Sequence, residues 1–73
     1  MKNQRAAVVL EMVFALQEKG HFTEAGIISE LRISRSTFFR CLSDLRCYLQ
    51  ERRPFEEIVY DDTKGVYRLE KPM

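Results

Sequence analysis

A chain of 73 residues is long enough for one domain, so we interpret residues 1–73 as a single domain. Its composition, 45% hydrophobic and 32% charged, is that of a globular protein and excludes a disordered one. The net charge of +1 favours no partner by itself. A domain this small buries only about 60% of its unfolded surface, so we expect a second copy or a further domain to stabilise it.

The first predicted element is a helix over residues 5–19. Apolar residues recur in it at the helical spacing of three and four, namely at Ala6, Val9, Leu10, Val13 and Leu16. Val8, Met12 and Phe14 widen the apolar surface beyond one stripe, which is typical of a helix with two partners. We therefore expect this helix to pack on the core and to contribute to a homodimer. Gly20 predicts its end.

A second helix is predicted over residues 24–31, with Thr23 as its N-cap and a short link before that cap. Its inward-facing residues are Ile27, Ile28 and Leu31. Glycine inside a helix costs about 1 kcal/mol relative to alanine, and we interpret Gly26 as a place where another backbone comes close. A two-residue turn follows, with Ile33 directed into the core.

The third helix is predicted over residues 35–50, with Ser34 as its N-cap. Its apolar stripe consists of Phe38, Leu42, Leu45 and Leu49, with Cys41 beside it. The other side carries Arg35, Ser36, Thr37, Phe39, Arg40, Ser43 and Arg46. Pro54 cannot continue a helix, and the residue before a proline disfavours the helical region. The helix is therefore expected to end before that proline.

The remaining stretch changes from helical to strand preference. Residues 58–60 and 66–69 are rich in β-branched and aromatic side chains, and residues 61–65 between them form a turn that ends in glycine. A two-stranded hairpin is marginal alone, so it must lie on the helices. Three helices followed by a C-terminal β-hairpin wing predict an α+β, mainly α, winged helix-turn-helix fold.

The positive charge is gathered in one segment. Residues 32–53 hold six arginines, no lysine and two acids, a charge of +4, which leaves −3 for the remainder. A small protein near neutrality can in this way present a positive face to a polyanion. The alternative interpretation is a solvated helix face.

Two short helices joined by a tight turn over residues 22–48 have the layout of a helix-turn-helix, which places its second helix in the major groove of DNA. Double-stranded DNA is therefore the predicted partner, with residues 34–50 as the recognition helix. Arginine can bond both acceptors of guanine, hydroxyls can bond phosphate or a base edge, and a helix N-terminus favours phosphate. The predicted DNA-binding residues are Thr23, Ser34, Arg35, Ser36, Thr37, Phe39, Arg40, Arg46 and Lys64, the last at the wing tip.

A second hypothesis is a winged helix that binds another protein without reading DNA. Its contact would be the exposed apolar surface of the first helix together with Phe39. The position of the apolar surface separates the two hypotheses, because an apolar surface over the start of the third helix would weaken the DNA interpretation.

Cys41 and Cys47 lie six residues apart, which separates them by about 9 Å along a helix. The Cα atoms of a disulfide lie within about 7 Å of each other, so we predict reduced thiols. His21 is the one histidine of the sequence, and we expect no metal and no cofactor. Without a phosphate-binding glycine loop or a nucleophile–base pair, the sequence does not predict an enzyme.

The sequence shows no signal peptide and no apolar run of about 18 residues. We therefore expect a cytoplasmic, nucleoid-associated protein without a membrane partner.

Two motifs resemble those of a known family. Residues 33–40, followed by Leu42, Leu45 and Arg46, resemble the start of the recognition helix in the N-terminal winged helix of bacterial DeoR-like and WYL-domain transcriptional regulators, which reads Val-Ser-x-x-Thr-aliphatic-aromatic-Arg-Asp. Residues 58–69 resemble the wing of that family, which closes on Gly-Tyr-Arg-Leu. The resemblance covers residues 5–69.

The resemblance implies sequence-specific DNA binding by a transcriptional regulator that is usually a dimer. The matching contact positions are Ser34, Arg35, Ser36, Thr37, Phe39 and Arg40. Three positions depart from the family pattern: Arg32 replaces the turn glycine, Ile28 replaces a small residue, and Cys41 replaces the aspartate after the helix arginine. Those regulators continue into a ligand-sensing domain, whereas this chain ends after the wing, so it is either a stand-alone protein or a fragment with no evident small-molecule effector.

Overall fold

The computed structural model describes residues 4–71, apart from the side chain of Gln4. In chain order the elements are α1 (Gln4–Glu18), β1 (His21–Phe22), α2 (Glu24–Leu31), α3 (Arg35–Arg52), β2 (Glu57–Asp61) and β3 (Val66–Glu70). Three helices with a small antiparallel sheet confirm the predicted α+β fold class, a winged helix.

The sheet has three strands and not the two that the sequence predicted. Its order is β1-β3-β2, and all pairs are antiparallel. The stretch interpreted as a link before α2 is the strand β1, in which Phe22 lies opposite Tyr67 of β3. A two-residue strand has no periodicity of its own, and its partner lies 45 residues away in sequence, so local pattern could not predict it.

The stripe of α3 is buried as predicted, with Phe38 and Cys41 fully inaccessible. The predicted apolar stripe of α1 is only partly buried, since Val9, Val13 and Leu16 lie against the core while Leu10 is exposed. The fully buried residues of this helix are Val8 and Met12. Because α1 is apolar on most of its circumference, its own sequence did not decide which side would face the core. Aromatic rings join the sheet to this core, since Phe22 stacks on Tyr67 with ring centroids 5.5 Å apart and packs edge-on against Phe38.

Both helices of the helix-turn-helix begin at the predicted caps. Thr23 Oγ1 accepts a hydrogen bond from the Gly26 N–H at 2.9 Å, and Ser34 Oγ accepts one from the Thr37 N–H at 3.1 Å. Between them Arg32 adopts a left-handed conformation with φ of 57°, which is uncommon outside glycine and explains why a glycine would suit this turn.

Contrary to the prediction, Gly26 is not a place where the backbone of another element comes close. A Cβ atom at this position would lie 2.7 Å from Thr23 Oγ1, and not against the backbone of another element. The glycine therefore leaves room for the hydroxyl that caps its own helix.

Candidate nucleic-acid interface

The side of α3 opposite the core carries small polar residues and one charge. Ser36, Arg40, Ser43 and Cys47, which we call the outward stripe, recur at spacings of four, three and four, and all four are exposed. The buried residues Phe38, Leu42, Leu45 and Leu49 hold the other side of the helix against α1 and the sheet. This packing leaves the hydroxyls and the guanidinium of the outward stripe directed away from the molecule.

Arg40 is the cation of this stripe. Its side chain makes no ion pair with any other residue of the described range 4–71. All five N–H groups of its guanidinium are therefore open to an external acceptor.

Arg35, five residues before Arg40, is placed differently. Its side chain is 73% exposed, but its Nε atom donates a hydrogen bond to the carboxylate of Glu24, the first residue of α2. Its guanidinium carbon also lies 5.4 Å from the centroid of the Phe39 ring, within the range of a cation–π contact. The spacing along α3 predicted Arg35 and Phe39 on one surface, whereas the contact of Arg35 with Glu24 of α2 was not predicted.

Phe39 is 39% exposed, so the two consecutive phenylalanines divide between the core and the surface as expected. Its ring meets the buried ring of Phe38 edge-on, with centroids 5.0 Å apart and an interplanar angle of 84°. One face of the Phe39 ring is thus held by the core residue, while its remaining surface lies beside Arg35 on the outside.

The hydroxyl groups at the start of α3 form a local network. Ser34 Oγ donates to Thr37 Oγ1 at 3.1 Å and lies 3.4 Å from Ser36 Oγ. Ser34 and Thr23 use their side chains as helix caps, so their oxygens are already engaged by backbone N–H groups. Ser36 is exposed and caps no helix, whereas Thr37 is half-buried.

Two further predicted residues lie toward the wing. Arg46 donates from Nη2 to the carbonyl oxygen of Ile58 at 3.1 Å and so links α3 to β2. Lys64 is exposed at the turn between β2 and β3 and makes no ion pair within residues 4–71.

Asp61 shapes the wing turn. Its Oδ1 accepts hydrogen bonds from the backbone N–H groups of Thr63 and Lys64 at 3.0 and 3.3 Å, and its Oδ2 lies 3.6 Å from Arg68 Nε. The carboxylate therefore forms the turn and neutralises part of the wing, which leaves Lys64 as the cation at the tip.

Three residues of this surface were absent from the predicted set, namely Ser43, Cys47 and Glu24. Ser43 lies on the outward stripe, and its spacing of seven from Ser36 and three from Arg40 was a sufficient signal for it. Glu24 has no such signal, because its contact with Arg35 crosses from one helix to another.

Two titratable groups lie beneath the surface. Burial raises the pKa of the Cys41 thiol, with a smaller contribution from the charge of Asp44. Burial also raises the pKa of the Tyr67 hydroxyl, and the charge of Glu24 adds to that effect. Both groups are therefore protonated at neutral pH and contribute no charge to the interface. Cys47, in contrast, is exposed.

A second surface is apolar and lies away from the start of α3. Leu10, Phe14 and Tyr48 are 56%, 52% and 55% exposed. Leu10 and Phe14, which we call the apolar ridge, are one turn apart on α1. On one side of the ridge, a groove of about 610 Å³ between α1 and α3 is lined by Val9, Val13, Leu16, Tyr48, Leu49 and Leu69. On the other side, Phe14 borders a groove of about 290 Å³ between α1 and α2.

Comparisons with known proteins do not assign the chain to a family. No family model matches it, and neither a curated protein nor a solved structure matches it. The likeness to DeoR-like and WYL-domain regulators therefore stays a prediction from the two motifs. In residues 4–71 no helix has both the length and the apolar character needed to cross a bilayer.

Proposed function

We propose that this protein binds double-stranded DNA in a sequence-specific manner as a transcriptional regulator, with α3 in the major groove. The outward stripe is the observation that carries the proposal. It places Ser36, Arg40 and Ser43 on one accessible side of the helix that follows the helix-turn-helix turn. The proposal assigns neither a catalytic activity nor a cofactor to the chain.

The chemistry of this side suits a duplex. Arg40 can donate two parallel hydrogen bonds to guanine or bind a phosphate, and the serine hydroxyls can bond either a base edge or a phosphate. Residues 32–53 carry a charge of +4, which attracts a polyanion to the same region. Lys64 extends the positive surface to the wing, where it can meet the neighbouring backbone or minor groove.

The position of the apolar surface also supports DNA over a protein ligand on α3. Leu10, Phe14 and Tyr48 lie on α1 and on the second half of α3, whereas Phe39 is the large apolar side chain near the start of that helix. An interaction module that used the start of α3 would require a wider apolar surface there.

The partner proposed for the apolar surface is a second copy of this chain. The ridge and the adjoining groove are both apolar, so two copies can each place a ridge against the groove of the other. The groove rim carries two acids and two bases, Asp44, Glu56, Arg53 and Lys71, so two copies would not repel each other. A homodimer would place one recognition helix on each half-site of a palindrome.

The apolar area is adequate for such a dimer. An aromatic side chain exposes roughly 200 Å² when unburied. Phe14 and Tyr48 at half exposure therefore offer about 200 Å² together, before Leu10 and the groove lining are added. A standard interface uses about 800 Å² per partner, a little over half of it apolar. The surface thus supplies most of the apolar part that a stable dimer needs.

Selection of bound sequences from random duplexes tests the proposed function directly, followed by affinity measurements across a salt series. We expect the logarithm of the affinity to fall with the logarithm of salt by about 0.9 for each phosphate neutralised. The double variant Arg35→Ala/Arg40→Ala should lose at least about 100-fold in affinity for the selected duplex, since each bidentate contact is worth about 1–3 kcal/mol.

Lys19→Ala/Arg52→Ala is the matched control, because it removes the same charge from two exposed residues that lie outside both the start of α3 and the apolar groove. Both double variants should unfold at urea concentrations close to that of the parent. If Arg35→Ala/Arg40→Ala shifts the selected duplex as well as the parent does, the assignment of the interface is wrong.

Sedimentation equilibrium of Leu10→Glu tests the homodimer, because the variant places a carboxylate against the apolar groove of the second copy. We expect the variant to sediment as a monomer and to select a single half-site. Phe55→Glu is the control for an added carboxylate, since Phe55 is 76% exposed and lies outside the groove. A parent that sediments as a monomer on and off DNA would rule out the dimer.

A further inference from the structure

Glu24 and Arg35 occupy equivalent positions in the two helices of the helix-turn-helix. Each is the first residue of its helix, and the Arg35 Nε atom donates to Glu24 Oε2 across the turn. The Glu24 side chain is 30% exposed, whereas that of Arg35 is 73% exposed. The Glu24 carboxylate is therefore mostly covered by the protein, whereas the Arg35 guanidinium extends into solvent.

Glu24 and Arg35 each have a second interaction besides their ion pair. The Glu24 carboxylate lies at the N-terminus of α2, where the helix dipole favours a negative charge, and it is close enough to Tyr67 to influence its titration. The Arg35 guanidinium lies 5.4 Å from the Phe39 ring centroid. Contacts on two sides restrict the orientation of a side chain that would otherwise sample many rotamers.

The contact uses one particular part of the guanidinium. Arginine has five N–H groups, of which Nε carries one and the two terminal nitrogens carry four. Because Nε is bonded to Glu24, the end of the fork with the two terminal nitrogens remains open. Two parallel N–H groups at that end match the O6 and N7 acceptors of guanine.

We propose that Glu24 is a positioning residue that directs Arg35 to a base and away from the phosphate backbone. This inference rests on the proposed function. The Glu24 carboxylate cancels the charge that would draw Arg35 to a phosphate, and it repels any phosphate that approaches the pair. Guanine O6 and N7 are neutral acceptors, so the free end of the fork can bond them while Nε stays on Glu24. Arg40, which has no such partner, keeps its attraction for phosphate.

The test measures affinity for the selected duplex and for a scrambled duplex of equal length, each across a salt series. In Glu24→Gln, Arg35 is free to neutralise one more phosphate. Affinity for the scrambled duplex should rise, the salt dependence should steepen by about 0.9, and the ratio of specific to scrambled affinity should fall about tenfold. Glu30→Gln removes the same charge from the exposed last turn of α2 and should leave the slope and the ratio unchanged.

Two variants of Arg35 separate positioning from a general charge effect. In the Arg35→Ala background, Glu24→Gln should no longer steepen the salt dependence, because the effect acts through the guanidinium. Arg35→Lys keeps the charge beside Glu24 but offers no fork, so it should lower the affinity ratio about tenfold without changing the slope. Arg35→Lys leaves Glu24 in place, so it tests the proposal even if Glu24→Gln does not fold. Circular dichroism measures whether Glu24→Gln is folded.

The outcomes separate this inference from the proposed function. If Glu24→Gln behaves as Glu30→Gln does, if its slope change persists without Arg35, or if Arg35→Lys keeps the parent ratio, the positioning role is wrong while DNA binding stands. If the parent binds neither duplex in a salt-dependent manner, the proposed function fails and the positioning role fails with it.

Discussion

The two halves of α3 present opposite chemistry to the outside while sharing one buried stripe. The first half exposes Ser36, Arg40 and Ser43, with Arg35 held beside them by Glu24. The second half exposes Tyr48 beside an apolar groove that α3 forms with α1. The core residues, from Phe38 to Leu49, continue without interruption beneath both.

The difference shows how a short domain can present two surfaces. One helix of 18 residues is long enough for its first half to expose the outward stripe while its second half lines a groove with α1. The proposed DNA contact and the proposed contact with a second copy therefore lie on one rigid element. A change in the shared core should disturb both surfaces, and a change at one end should disturb only that end.

The largest effect is expected for Phe38→Ala. Phe38 is fully buried and contacts the rings of Phe22 and Tyr67, and phenylalanine-to-alanine changes in a core cost about 3–5 kcal/mol. That cost is comparable to the whole stability of a small domain, so both surfaces should be lost together. Urea denaturation followed by circular dichroism measures the effect. Phe55→Ala, at an exposed site, should stay within about 0.5 kcal/mol of the parent, and equal midpoints for the two variants would contradict the expected role of the shared core.

A smaller effect, confined to the first half, is expected for Ser34→Ala. The variant removes the hydroxyl that accepts from the Thr37 N–H and should cost about 1 kcal/mol. Loss of the cap loosens the first turn, which carries Arg35 and Ser36, so DNA affinity should fall while self-association is retained. Ser43→Ala lies on the outward stripe within the same helix, has no cap role and should leave the unfolding free energy nearly unchanged. Equal destabilisation by the two alanines would show that the cap does not support this turn.

The smallest effect should appear at alkaline pH. The pKa values of Tyr67 and Cys41 are raised in the folded state above ordinary values of 10.0 and 9.0, in both cases chiefly by burial. The folded protein thus holds these protons more tightly than the unfolded chain does. Their contribution to stability is complete below pH 9 and is lost as the pH rises through 10 and beyond.

Tyr67→Phe keeps the ring and abolishes one of these titrations. Its unfolding free energy should therefore fall less steeply above pH 10 than that of the parent, as urea denaturation at a series of pH values would measure. The same steepness in both proteins would show that Tyr67 does not cause the alkaline loss. Because Tyr67 contacts Phe38, the comparison also reports on the core beneath the first half of α3.

Much of the fold could be predicted because its signals are local. The caps at Thr23 and Ser34 lie where the hydroxyl residues predicted them, α2 has the predicted bounds, and α3 extends only two residues past the predicted end before Pro54. The wing turn could be predicted from Asp61 and Gly65. The Asp61 side-chain oxygen accepts a backbone hydrogen bond in this turn, and Gly65 adopts the positive φ that the turn requires. Each of these features depends on residues within one or two turns of each other.

The candidate site could be predicted only in part. Spacing along α3 placed Ser36 and Arg40 on one exposed side, and it also contained the unused signal for Ser43. Spacing could not indicate that Arg46 bonds the Ile58 carbonyl or that Arg35 bonds Glu24, since both contacts join different elements. The three arginines therefore differ in role. Arg46 links α3 to β2, Arg35 is paired with Glu24, and Arg40 has no ion-pair partner within residues 4–71.

The sequence by itself determined the three helices, their caps and the wing turn, because hydrogen bonds between near neighbours stabilise them. Only the tertiary structure decided that β1 joins the sheet, that Val8 and Met12 of α1 are buried in place of Leu10, and that Glu24 meets Arg35. The physical reason is the same in each case. Such choices depend on which surfaces of distant elements pack together, and a helix that is apolar on most sides or a strand of two residues carries no preference of its own.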